Sequence, residues 1–74
     1  MASSELAKTW MKTTAKCARE RRKALGLTQR EVAALAQCHY VFVNDLEQGK
    51  PTLRLDKVLD VLGALGLLPE VPCT

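Results

Sequence analysis

The stretch TQREVAALAQCHYVFVNDLEQGK, residues 28–50, decides the fold. Thr28 followed three residues later by Glu31 is a capping box, the signature of a helix start. Val32, Leu35 and Ala36 then fall on one helical face. A second short helix begins near His39 and turns Phe42, Val43 and Leu46 inward. Gly49 stands where a helix-ending glycine belongs, and Pro51 stops any continuation. Two short helices with one apolar face each cannot bury those faces alone. They require helices on both flanks, and the sequence supplies both.

Upstream, Ser4 is placed to cap a helix running to about Leu25. Ala7, Met11, Ala15, Ala18, Arg22 and Leu25 lie along one side of it, with Leu6, Trp10 and Cys17 beside that stripe. Lys8, Lys12, Lys16, Arg19 and Lys23 share another face at spacings of three and four. Such a helix is long for this domain, so its first two turns overhang what the rest can cover. Trp10, the single tryptophan, lies on that overhang. It is either covered by its own chain or an anchor for a partner, since tryptophan is enriched in interface hot spots. Downstream, Thr52 looks like the cap of a last helix from about Leu53 to Leu65. Its apolar stripe is Leu55, Val58, Leu59, Leu62 and Leu65. The tail from Leu67 carries Pro69 and Pro72, which exclude helix and leave at most an edge strand. The expected organisation is a loose end at 1–4, one domain at 5–66 with its motif at 28–47, and an extended tail at 67–74.

At 74 residues, only one domain fits, and its core is small. Packing of helices, a second chain, or both must supply stability. No apolar run reaches the roughly 18 residues of a membrane span, and no leader is apparent; the expectation is a cytoplasmic protein. Cys17, Cys38 and Cys73 are odd in number and widely spaced, which argues for reduced thiols rather than a disulfide framework. Cys38 and His39 are adjacent on a helix start and point apart, so neither a metal site nor a thiol–imidazole pair is expected. Asp45 and Glu47 fall on different helix faces, and no glycine-rich phosphate loop is present. No catalytic set emerges, no cofactor is implied, and a chain this small does not easily shape a dry pocket. The net charge is +3, but between Lys8 and Arg30 eight basic residues stand against the single acid Glu20. That imbalance suits a phosphate-rich or acidic partner, or a solvated helix face.

GLTQREVAALA (26–36), followed by VFVNDLEQGKPTLRLDKVLDVLGALGL (41–67), resembles the Xre/Cro–CI-like helix-turn-helix family. The likeness covers about Ala18 to Leu67. Within it, the GKPTLRLDKVL segment is most similar to HipB-type antitoxins, which pair with HipA-type kinases. The resemblance implies an all-α, lambda-repressor-like bundle of four helices whose second motif helix enters the DNA major groove. It implies that Gln29 bonds a phosphate and braces the reading helix, that Ala33 sits where the motif helices cross, and that Leu35, Val43 and Leu46 fill the motif core. It makes Arg22 and Glu47 a structural pair. His39, Tyr40, Val41, Asn44 and Asp45 become base-reading positions, and Arg30, Lys50, Arg54 and Lys57 become phosphate contacts. Asn44 suits adenine N6 and N7, Val41 a thymine methyl, and Asp45 cytosine N4. Asp45 would alternatively fix a neighbouring side chain.

The implied function is a homodimeric repressor on palindromic operator DNA, the antitoxin of a toxin–antitoxin operon with a HipA-like kinase toxin. Trp10, Leu62, Leu65, Leu67, Leu68 and Val71 are the candidate contacts with a second copy or partner. The alternatives are a protein-interaction module using the basic first helix and Trp10, and a phage or restriction-modification regulator without a toxin. Three departures from the family pattern stand out. Gln37 replaces the usual turn glycine, His39 replaces the usual cap, and Tyr40-Val41-Phe42-Val43 makes the reading helix unusually apolar.

Overall fold

The computed structural model describes residues 2–67, with side chains from Glu5 onward. Among the described residues four helices follow one another: α1 (Ala2–Ala24), α2 (Gln29–Ala36), α3 (Tyr40–Glu47) and α4 (Leu55–Ala64). The tail positions Leu68, Val71 and Cys73, and the edge strand considered for the tail, lie outside the described residues. The helix count and the all-α class agree with the sequence reading.

The start of α2 forms as its residues dictate. The Glu31 amide donates to Thr28 Oγ1 at 3.1 Å, and the Thr28 amide donates to Glu31 Oε1 at 2.8 Å. Its end is a Schellman motif. Gln37 adopts φ 56° and ψ 47°, the Cys38 amide donates to the Ala33 carbonyl at 2.9 Å, and the Gln37 amide donates to Ala34 at 3.3 Å. The tight turn therefore keeps the left-handed geometry that favours glycine, with a side chain in place. His39 then caps α3 through its ring, Nδ1 accepting from the Val41 amide at 3.2 Å. That bond needs a lone pair on Nδ1.

The core gathers Met11 and Ala18 of α1, Val32, Ala33 and Ala36 of α2, Val43 and Leu46 of α3, and Val58, Val61, Leu62 and Leu65. Phe42 packs against it half-buried, and Ala33 lies buried where the motif requires a small residue. Leu35 does not join the motif core; it is 61% exposed. At about 100° per residue, Val32, Ala33 and Ala36 set the inward direction of α2, and Leu35 points more than a quarter-turn away.

The last helix also differs from expectation. It starts at Leu55 with Arg54 at the cap position and no side-chain cap bond, so Thr52 does not cap it. Arg54 instead grips Asp56, whose Oδ1 also accepts from the Lys57 amide. Val61 is buried in place of Leu59, and Leu55 faces outward. Leu62 and Leu65, read from the sequence as contacts for another chain, are 3% and 1% exposed within this chain's own core. They complete the surface that closes the bundle and have little area left to offer. Arg21 seals the end of α4, its Nε donating to the Leu65 carbonyl at 3.0 Å.

The first helix begins at Ala2, ahead of Ser4. Its inward stripe is Met11, Ala15 and Ala18; Ala7 and Leu25 are exposed. The helix passes the end of α3 at Gly49, where the positive φ favours glycine. A Cβ on Gly49 would meet the Lys12 Cα at 3.7 Å and the Ala15 Cβ at 3.8 Å, at a φ of +78°. Above that crossing, Leu6 and Trp10 are exposed on the overhang.

Candidate nucleic-acid interface

The centre of the site is a carboxylate held from two sides. Arg22 Nε donates to Glu47 Oε2 at 2.7 Å, and its NH2 donates to Oε1 at 3.0 Å. A third donor, NH1, reaches the Leu27 carbonyl at 3.0 Å. The side chains are only 14% and 5% exposed, so the pair is largely withdrawn from water. The hydrogen bond to Glu47 raises the Arg22 guanidinium above its ordinary range, outweighing the opposite pull of burial. Gln29 completes the brace from the first turn of α2. Its Nε2 donates to Glu47 Oε1 at 3.2 Å and to Asn44 Oδ1 at 3.3 Å. One amide thus fixes Asn44 and ties α2 to α3, while the Asn44 amide group keeps its own donors.

A second cluster sits at the other end of α3. The Arg30 guanidinium carbon lies 3.9 Å from the centre of the Tyr40 ring, and the His39 ring stacks against Tyr40 at 4.9 Å and 29°. Cation–π contact favours guanidinium over an aromatic face. The sequence reading placed these three residues on the DNA side but did not foresee the stack. The signal available was a bare spacing of ten residues across a turn, which fixes no such contact.

Val41 is exposed, and Tyr40, Asn44 and Asp45 are half-buried along the same short helix. The Asp45 carboxylate lies 3.9 Å from Lys50 Nζ, a loose ion pair on the surface. Arg54 pairs with Asp56 at 2.7 Å, and Lys57 with Asp60 at 3.8 Å. Slight desolvation would push the exposed Asp56 carboxyl up, but the bonds from Arg54 and the Lys57 amide outweigh it and hold it below its usual range. The three cations expected at phosphates from this half of the chain are each shared with an acid. Cys38 is half-buried; burial raises its thiol above the ordinary value, with Lys57 and Asp60 acting in opposite directions. Among the described residues, no three of His, Cys, Asp and Glu gather as a metal site.

Two short helices joined by a tight turn, the second braced from behind with its outer face open, form a helix-turn-helix. The sequence profile of the helix-turn-helix family, Xre/Cro–CI-like, matches residues 19–71. The chain belongs to this family. This helix-turn-helix chain is also similar to an uncharacterized HTH-type transcriptional regulator, y4mF, of Sinorhizobium fredii (strain NBRC 101917 / NGR234). The two are 49% identical over 45 residues, a match that covers 61% of this chain and 59% of that relative. No solved structure matches it. In a helix-turn-helix the first exposed residues of the second helix meet base edges. In this chain the start of α3 carries the exposed Val41 and the half-buried Tyr40 and Asn44, with the Gln29 side chain bonded to Asn44. Among the described residues, no helix is long and apolar enough to cross a membrane.

Proposed function

We propose that this chain is a sequence-specific DNA-binding transcriptional repressor, cytoplasmic and non-enzymatic, acting as a homodimer on a palindromic operator. The observation that carries this reading is the brace: Gln29 and Arg22 converge on Glu47, and Gln29 fixes Asn44. A reading helix held this way presents Asn44 to adenine and Val41 to a thymine methyl without reorganising. Family membership and the regulator description of the relative support the same reading. We extend it to an antitoxin that represses its own operon and holds a HipA-like kinase toxin. That extension rests on the likeness of the GKPTLRLDKVL segment to HipB-type antitoxins.

A single module makes few base contacts, so specificity calls for two copies about one helical turn apart. The surface best placed for the second copy is the apolar depression of Trp10, Thr13, Thr14, Cys17 and Leu67, about 210 Å³, with the buried Leu62 at its floor. Trp10 is 43% exposed there. The same depression favours a second reading, in which the chain is chiefly a protein-interaction module and DNA is incidental.

Titration of DNA upstream of its own gene across salt, beside scrambled DNA of equal length, tests the proposal. The expected result is a specific affinity about a thousandfold or more above the scrambled control. Equal weak binding to both would overturn the repressor and favour the interaction module. A toxin gene next to this one, with a kinase that co-purifies with the chain, is the expected companion of the antitoxin reading. A neighbourhood without one would leave a phage-type or restriction-modification regulator.

A further inference from the structure

Of the four cations expected to neutralise phosphate, three are already paired with acids, and Arg30 rests on the Tyr40 ring. Lys50, Arg54 and Lys57 each face a carboxylate, whereas Lys8, Lys12, Lys16, Arg19 and Lys23 on α1 have no ion-pair partner among the described residues. Four of these five line a groove of about 460 Å³ between α1 and the end of α3, whose far wall is Glu47, Gln48 and Gly49. Of the two acids on the groove, Glu47 is already engaged by Arg22, leaving only Glu20 against the four cations. The groove does not stand apart from the reading surface. Arg19 also lines the adjoining depression with Gln29, Asn44 and Gln48. Arg22 ties α1 to the end of α3 through Glu47, so the stripe keeps a set position relative to Asn44.

We propose that the basic face of α1 is a second DNA-binding surface. It takes the sugar–phosphate backbone of the duplex beyond the groove that α3 reads, entered through Arg19 and continued by Lys23, Lys16 and Lys12. From Lys8 to Lys23 the face is about 22 Å long, enough to meet several successive phosphates of one strand. These contacts carry no sequence information. They set affinity, register on the duplex and salt dependence. An acidic protein would satisfy the same charges, but the continuity with Gln29 and Asn44 through Arg19 favours the duplex. The proposal rests on the DNA reading above, and the two fail differently.

The test is the salt slope of binding for wild type, for Lys12→Ala/Lys16→Ala and for Asn44→Ala. Each is titrated against the upstream DNA and against scrambled DNA, with circular dichroism as the folding control. Both lysines are exposed, so their loss leaves the core intact. The expected result is a double variant weakened on both DNAs alike, with its log–log slope shallower by about two and its discrimination unchanged. Asn44→Ala should show the reverse, an unchanged slope with lost discrimination. A wild type that binds both DNAs equally overturns the operator reading, while its slope on scrambled DNA still reads the stripe. A double variant with the wild-type slope on both DNAs overturns the stripe and returns α1 to a protein partner. A wild type that binds neither DNA overturns both.

Discussion

Glu47 and Arg22 meet through two parallel hydrogen bonds, 2.7 and 3.0 Å, between the last turn of α1 and the last turn of α3. The pair is largely dry, so each charge depends on the other. Removing one leaves a buried ion without a counter-charge, which costs far more than the pair contributes net. Arg22→Ala and Glu47→Ala should each destabilise the domain by about 3–5 kcal/mol in chemical denaturation. Arg22→Met/Glu47→Leu together should lose much less than the sum. A double-mutant cycle with no coupling would refute the burial argument.

Gln37 holds the left-handed turn between α2 and α3. A side chain there is strained by about 1–2 kcal/mol relative to glycine, part of which glycine gives back through its freer unfolded chain. Gln37→Gly should therefore raise stability by about 0.5–1 kcal/mol, while Gln37→Ala should change little. Thermal melts of the three proteins decide it.

His39 is a weak substitute for a hydroxyl or carboxylate cap. His39→Ser should match or improve the cap of α3, a gain of up to about 1 kcal/mol. It also removes the ring stacked on Tyr40, so affinity for the upstream DNA should fall even as the melt rises. A variant that gained on both measures would show the stack to be incidental.

Asn44 is the residue on which discrimination should depend most. Asn44→Ala should cost about 1–3 kcal/mol on the upstream DNA and little on scrambled DNA. Gln29→Ala frees Asn44 and leaves Glu47 with Arg22 alone, so it should weaken both reading and folding. Binding isotherms on the two DNAs, read beside melts, separate these effects.

Cys38 should be the slow thiol. Its burial favours the neutral form, and only the thiolate is alkylated. Peptide mapping after brief iodoacetamide treatment at mildly alkaline pH should find the exposed Cys17 labelled well ahead of Cys38. Because the folded state holds the Cys38 proton more tightly, that contribution to stability is present below the unfolded thiol value. It fades as pH rises through the folded one. Equal labelling would show that α2 and its turn open readily.

Much of this was legible from residue types at fixed offsets. Thr28 and Glu31 specify the start of α2 by local chemistry alone, and Gly49 with Pro51 ends α3 in the same way. The partnership of Arg22 and Glu47 came through family resemblance, since no spacing rule links positions 25 residues apart. What failed was side-chain direction. Leu35, Leu55 and Leu59 are apolar at helical spacing, yet a helix this short buries a narrow arc, and Val61 and Ala33 occupy it instead. Thr52 misled because the helix starts two residues further on, with Arg54 at the cap position and no side-chain cap bond. Leu62 and Leu65 belonged both to the apolar stripe of the last helix and to the candidate contacts with another chain; the bundle closes on them first.

The stack of Arg30, Tyr40 and His39 bears on the energetics of meeting a ligand. A free arginine or tyrosine at an interface gives up rotamer entropy on binding, roughly 0.5–1.5 kcal/mol for each side chain immobilised. Here the guanidinium already rests on the ring, and the ring on the imidazole that caps its helix. Preorganisation of this kind moves the entropic penalty from association into folding. An apolar reading helix with few charged fingers can then hold its target longer than its contact count suggests, and the gain would appear as slow dissociation rather than fast capture.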